Sequence, residues 1–247
     1  MHSDLRRSQW KQKVVGRFDM QASQYGQNND IQDEIAQTLA THLPPIPNAN
    51  ILEIGCGTGA LTRHLLNQYP DAQFHITDIS QRMVNAARQS ISTEHQIEWG
   101  IMDGELPTSD RQYDLIVSSM AFQWFENHEA ALTQLTKMLK PSGHLFFSVP
   151  SAKSFKEWRE TLSSLSLPHG FPTTPEWPQI FKEEEITIDY GNTLNFLKTL
   201  RKTGANIPHN HYRMLQYSEL KHACKVNDRK HGGKTTWHIL YGHITRS

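Results

Sequence analysis

Cysteine is nearly absent: the 247 residues hold two, Cys56 and Cys224. One possible pair makes no disulfide framework, and such sparing use fits a reducing compartment. Net charge is absent too, with 25 Lys+Arg against 25 Asp+Glu. That balance supplies no electrostatic footprint for bulk nucleic-acid binding. No apolar run approaches the roughly 18 residues of a membrane span. The polar opening, Met1-His2-Ser3-Asp4-Leu5-Arg6-Arg7, has no signal-peptide core. There is no internal repeat. These absences predict a soluble, cytoplasmic protein without a nucleic-acid or membrane partner, and 37% hydrophobic residues suffice for one sizeable core. A single domain over 1–247 is expected.

What is present alternates. The first fifty residues are polar and helix-favouring, with a sparse apolar stripe of Phe18, Tyr25, Ile31, Ile35 and Leu39, ended by Pro44-Pro45-Ile46-Pro47. Short apolar runs predict strands at 51–54, 74–77, 97–101, 113–118 and 144–149. Helical patterns lie between them at 60–68, 81–90 and 129–139, and Pro141-Ser142-Gly143 reads as a turn. Such βα alternation indicates a doubly wound, mostly parallel α/β sheet of the Rossmann-like kind. Beyond it, Trp158, Leu162 and Leu165 suggest a helix, followed by a proline-rich loop. A strand at 185–190, a helix at 193–202 and a last strand at 235–241 complete the chain. The expected organisation is thus a helical lid (1–49), a ligand-binding core (50–149), a helical insertion after the fifth strand (150–234) and a closing strand (235–247).

The chemistry gathers at strand ends. Glu53-Ile54-Gly55-Cys56-Gly57-Thr58-Gly59 sits where the first strand of the core meets its helix. Glycines there let a ligand approach the backbone, and the following helix offers free N–H groups. Asp78 closes the second strand, where a carboxylate commonly holds ribose hydroxyls, and Asp103-Gly104 follows the third. Gly55, Gly57 and Ala60 satisfy a permissive dinucleotide fingerprint. Glu53 speaks against that use, because a carboxylate there repels a pyrophosphate and favours a cationic or amino-bearing ligand.

This set resembles the class I S-adenosylmethionine-dependent methyltransferases, whose first motif is E/D-x-G-x-G-x-G. The resemblance implies a donor site formed by Glu53, Gly55, Cys56, Gly57, Gly59, Asp78, Ile79, Met83, Asp103, Gly104, Ser119 and Met120. Glu53 would orient the glycine loop and the ligand's amino-acid end, Asp78 would bind the ribose, and Asp103 would face the adenine. Over nearly the whole chain the sequence is similar to the malonyl-acyl carrier protein O-methyltransferases of biotin synthesis. The segments are Phe18-Asp19-x-x-Ala22-x-x-Tyr25, Phe122-Gln123-Trp124, Ser154-Phe155-x-Glu157-Trp158, Leu200-Arg201-Lys202-Thr203-Gly204-Ala205 and Thr236-Trp237-His238-Ile239-Leu240-Tyr241-Gly242. The implied activity esterifies the free carboxylate of a malonyl thioester carried by acyl carrier protein or coenzyme A.

Tyr25, Gln123, Trp124 and Arg201 are the catalytic-site candidates. Gln123 and Trp124 would meet the methyl group, Phe18 and Tyr25 would cover the donor, and Arg201 would read the carboxylate, with Arg17 and Arg159 as alternatives. Lys153, Lys156, Arg159, Arg201, Lys202 and Arg213 are available to an acidic carrier. His209 and His211 lack a third ligand at convincing spacing, so no metal is expected. Two other functions stay open: methylation of another small carboxylate or metabolite, and a non-catalytic S-adenosylmethionine-binding module. The basic run Cys224 to Gly233 matches no motif of the family.

Overall fold

The computed structural model describes residues 8–21, 30–169, 171, 176–202 and 213–247. Tyr25, His209 and His211 lie outside them. The elements in order are α1 (Gln9–Gln21), α2 (Asp30–Ala40), β1 (Asn50–Ile54), α3 (Ala60–Gln68), β2 (Gln73–Asp78), α4 (Gln81–Ser90), β3 (Ile97–Ile101), β4 (Tyr113–Ser119), α5 (His128–Lys137), β5 (Leu139–Pro150), α6 (Lys156–Ser164), β6 (Ile180–Asp189), α7 (Thr193–Lys202), α8 (Tyr217–His231) and β7 (Lys234–Thr245). The strands form a seven-stranded sheet in the order β3-β2-β1-β4-β5-β7-β6. Pairs β1–β2, β1–β4, β2–β3 and β4–β5 are parallel, as the βα alternation predicts. Order reverses between β1 and β4, and at such a switch point the carboxyl ends of strands leave a crevice.

The chain divides into two compact units. The first comprises Met1–Val149, Trp177–Lys182 and Tyr241–Ser247. Its core is the aliphatic centre of the sheet: Ile51, Leu52, Leu115, Ile116, Val117 and Leu145 are all fully buried. Each such side chain contributes roughly 1.5–3 kcal/mol by leaving water. Ile31, Ile35 and Leu39, at i, i+4 and i+8, form the buried stripe of α2 that the spacing predicts. Gly242 lets β7 lie against the ring of Phe147, which a Cβ at that position would overlap.

The second unit comprises Pro150–Glu176 and Glu183–Leu240. Polar groups tie its helices together. Thr161 donates to Asn227 Oδ1 at 2.9 Å, and Asn227 Nδ2 donates to Thr193 Oγ1 at 2.8 Å, linking α6, α8 and α7. Glu157 accepts from the Thr236 amide at 2.9 Å and from its hydroxyl at 2.5 Å. Satisfied buried networks of this kind specify one packing arrangement.

Two local expectations need correction. The fifth strand starts at Leu139, so Pro141-Ser142-Gly143 lies within a strand instead of forming a turn. Proline removes a ladder donor, and the strand absorbs this with an irregular register between Tyr113 and Leu115 and a positive φ (62°) at Ser142. Backbone bonds from Ser142 N to Arg246 O (2.9 Å) and from Arg246 N to Gly143 O (3.0 Å) close the gap. The unmatched basic run belongs to α8. Arg229, Lys230 and His231 fill its last turn, where the helix dipole favours cations, and Gly232 in left-handed conformation ends it.

Candidate active site

The site lies in the first unit, at the carboxyl ends of β1, β2 and β4. After Ile54 the chain turns on Gly55, whose φ is +74° and whose missing Cβ would overlap that of Ala121. The amides of Gly55 and Cys56 both donate to Thr77 O at 2.9 Å, pinning the loop to β2. A cavity of about 920 Å³, including its open mouth, follows.

The predicted donor residues converge on it. Glu53, Gly55, Cys56, Gly57, Asp78, Ile79, Met83, Asp103, Gly104, Ser119 and Met120 all line the cavity. Gly59 does not; it precedes the first turn of α3. Asp78 accepts from the Gly57 amide (2.9 Å) through one oxygen and from the Ser80 amide (2.8 Å) through the other. Glu53, 1% exposed, accepts from the Thr62 hydroxyl at 2.7 Å.

Burial makes both carboxylates reluctant to ionise. It pushes Glu53 up to about 8, against the pull of the Thr62 hydroxyl and reinforced by the charge of Asp78. It pushes Asp78 up to about 6, against the amides of Ser80 and Gly57. Two buried acids this close suit a positively charged group, which would favour their ionised forms. Burial, with Asp78 and Glu53 behind it, also raises the Cys56 thiol well above its ordinary range, which disfavours its thiolate.

Helix α1 supplies the remaining wall, with Lys11, Val14 and Phe18 lining the cavity. The Phe18 ring meets Trp124 edge-on at 5.6 Å, and Trp10 lies 6.5 Å from the same indole. Ser80 donates to the Asp19 carboxylate, and Arg82 donates to Asp19 O at 3.3 Å, so α1 is fastened to the start of α4. Lys11 matches no motif in the sequence. Its ammonium is buried, pairs with Asp103 at 3.1 Å and with Glu105, and stands 5.2 Å from the centre of the Phe125 ring. The Asp103 carboxylate is therefore already engaged.

The acceptor candidates separate. Trp124 lines the cavity; Gln123 does not. Gln123 Nε2 donates to Met120 O at 2.7 Å, while its Oε1 is buried and has no partner among the described residues. Met120 has a positive φ of 56°, a strained backbone at the end of β4. Arg201 is exposed on α7 in the second unit and is not among the cavity-lining residues. Lys153, Lys156 and Arg213 each pair with a glutamate (Glu183, Glu185 and Glu219), which mutes the basic surface expected there. Among the described residues, no cluster of three or more His, Cys, Asp or Glu could hold a metal ion, and no helix is long and apolar enough to cross a membrane.

Comparison with known proteins agrees with this geometry. A family model described as "Methyltransferase domain" matches residues 52–145. A malonyl-acyl-carrier-protein O-methyltransferase of Magnetococcus marinus is 34% identical over 249 residues, covering 94% of this chain and 92% of its own length. The biotin biosynthesis bifunctional protein BioCD of Bordetella avium is 34% identical over 93% of this chain, which spans 51% of that longer protein. Among solved structures, the N-methyltransferase NodS of Bradyrhizobium japonicum, in complex with S-adenosyl-L-homocysteine, has a TM-score of 0.52 at 17% identity, covering 94% of this chain and 98% of its own. At that identity it shows the shared fold.

Proposed function

The chain belongs to the malonyl-acyl-carrier-protein O-methyltransferase family, and from that premise we propose that it esterifies the free carboxylate of a malonyl thioester on acyl carrier protein, an early step toward biotin. The observation that carries this reading is the pair of buried acids, Glu53 and Asp78, at the switch point of a chain 34% identical to such an enzyme over nearly its whole length. The donor set fits S-adenosylmethionine, which supplies an electrophilic methyl group on a cationic sulfur. Glu53 and Asp78 answer that ligand's positive groups and its ribose hydroxyls, and the glycine loop admits it to the backbone. Asp103 faces the adenine from the end of β3.

A carboxylate acceptor is ionised at neutral pH, so this chain needs no strong base and must instead position and desolvate. Trp124, braced by Phe18 and Trp10, closes the cavity against water. Gln123, its amide held on Met120 and its Oε1 without a partner among the described residues, is a fixed polar group next to Trp124 in the chain, outside the cavity lining. We assign Tyr25 to the same cover over the donor. The carrier's acidic surface would meet the lysines around α6, in the cytoplasm where acyl carriers work.

Transfer of tritiated methyl groups to malonyl-carrier protein, malonyl-coenzyme A and free malonate tests the proposal. Base-labile label on the first, well above free malonate, is expected. Donor binding without transfer to any of the three would reduce the chain to a binding module, and preference for free malonate would make it a small-carboxylate methylator.

A further inference from the structure

One position of α2, in the first unit, departs from the pattern that packs the helix. Residues 32, 36 and 40 stand at i, i+4 and i+8, in a row beside the buried isoleucine and leucine stripe. Ala36 and Ala40 in that row are buried. Gln32 stands where the row reaches the cavity, and it forms part of the cavity wall. Its Oε1 is buried and has no hydrogen-bond partner among the described residues. No other described residue with such an orphan atom lines the cavity. A buried carbonyl oxygen without a donor is unfavourable, and an apolar residue in the same row would avoid it.

The packing of α2 indicates which part of a ligand supplies the missing donor. Helix α2 lies against α3 and β4, whereas α1 lies against α4. Gln32 therefore borders the cavity on the side of the glycine loop, which leads into α3. The opposite side carries Asp103, paired with Lys11 of α1 at 3.1 Å. With Asp78 on the ribose and Asp103 facing the adenine, the amino-acid end of the methyl donor falls to the glycine-loop side. Its ammonium is a strong hydrogen-bond donor that needs a directed acceptor. Glu53 Oε2 already accepts from the Thr62 hydroxyl at 2.7 Å. The Gln32 side chain is half-buried, and its terminal torsion is soft, so its amide can turn Oε1 toward a bound ligand.

We infer that Gln32 Oε1 accepts a hydrogen bond from the ammonium of the bound methyl donor, so that an amide of α2 anchors the donor's amino-acid end. The inference rests on the proposed use of S-adenosylmethionine. A short carbon chain joins that ammonium to the sulfonium, so holding the one helps to fix the other for in-line transfer.

The probes are S-adenosylhomocysteine and its deamino analogue, which has hydrogen in place of the ammonium and is otherwise the same. Gln32→Met keeps the reach of the side chain and removes its polar atoms. Calorimetry should show this variant binding S-adenosylhomocysteine about tenfold to a hundredfold more weakly, as for a hydrogen bond to a charged group. The deamino analogue should change by no more than about twofold, because the lost bond is absent from its complex in either protein. Gln32→Asn, whose amide stops one carbon short, should lose affinity in the same ammonium-dependent way, so the comparison holds even if methionine disturbs folding. Urea denaturation supplies a readout without ligand. Removal of an orphan carbonyl should leave ligand-free Gln32→Met at least as stable as wild type, whereas a structural role requires a lower midpoint. A loss below about threefold for S-adenosylhomocysteine in the folded variants, or equal losses for the two ligands, overturns the inference. If the ammonium-dependent loss appears while wild type methylates no malonyl thioester, the functional proposal falls and the ammonium contact stands. Wild type that binds neither ligand would remove both.

Discussion

Replacing Glu53 with glutamine tests whether the site is built to hold a cation. In the ligand-free protein Glu53 is raised from 4.5 to about 8, so it stays protonated well into the neutral range. The unfolded chain gives up that proton near 4.5. Between these values the folded state binds one more proton than the unfolded state, and stability must fall as pH rises. The slope is about 1.4 kcal/mol per pH unit. From 4.5 to 7 the loss is therefore roughly 3 kcal/mol, an upper figure because Asp78 titrates beside it. Glutamine is shaped like the protonated acid, and its carbonyl can still accept from Thr62. Glu53→Gln should match wild type near pH 5 and exceed it by an amount that grows through pH 8.

Urea denaturation of donor-stripped protein at pH 5, 6, 7 and 8 measures this, and the difference between the two proteins cancels titrations they share. Donor binding should show the reverse. A cationic ligand draws the proton off Glu53, so calorimetry at pH 7 in buffers of different ionisation enthalpy should report proton release by wild type. Glu53→Gln should release far less and bind more weakly. Stability curves running parallel from pH 5 to pH 8 would refute the reasoning, because Glu53 would then ionise in the folded state as it does in the unfolded one.

Asp78→Ala should weaken S-adenosylmethionine binding by roughly 1.5–3 kcal/mol, and unchanged affinity by calorimetry in a folded variant would remove Asp78 from the site. Lys11→Met strands Asp103 and Glu105 beneath α1, a loss of roughly 3–5 kcal/mol for a broken buried pair. Stopped-flow release of S-adenosylhomocysteine should quicken by tenfold or more, and an unaltered rate would mean that α1 does not retain the ligand. Neutralising Glu183 and Glu185 together with glutamine frees Lys153 and Lys156. If those lysines meet the acidic carrier, kcat/KM for malonyl-carrier protein should rise at low salt while that for malonyl-N-acetylcysteamine stays level. Equal responses of the two substrates would place the docking surface elsewhere.

The donor half of the site was legible because its requirements are local. The turn at Gly55 demands a positive φ, Asp78 must end the strand beside it, and an aliphatic run such as Ile51-Leu52 can be little other than a buried parallel strand. Each demand restricts residue type at a fixed spacing, so it leaves a mark in sequence. Lys11 leaves none. On a polar helix, one lysine among several reads as a solvated side chain. Only the approach of α1 to the end of β3 turns it into the partner of Asp103 and Glu105. The acceptor half has the same character: a motif singles out Arg201, but α7 carries it exposed and outside the cavity lining, a property of the packed unit and not of the chain. Helix α8 escaped for a third reason, since its stability comes from a Gln216–Glu219 capping box and a basic last turn more than from an apolar stripe. Groups that hold the ligand through the backbone are thus written into the sequence. Groups that act by closing over it come into view only when the elements bearing them are packed.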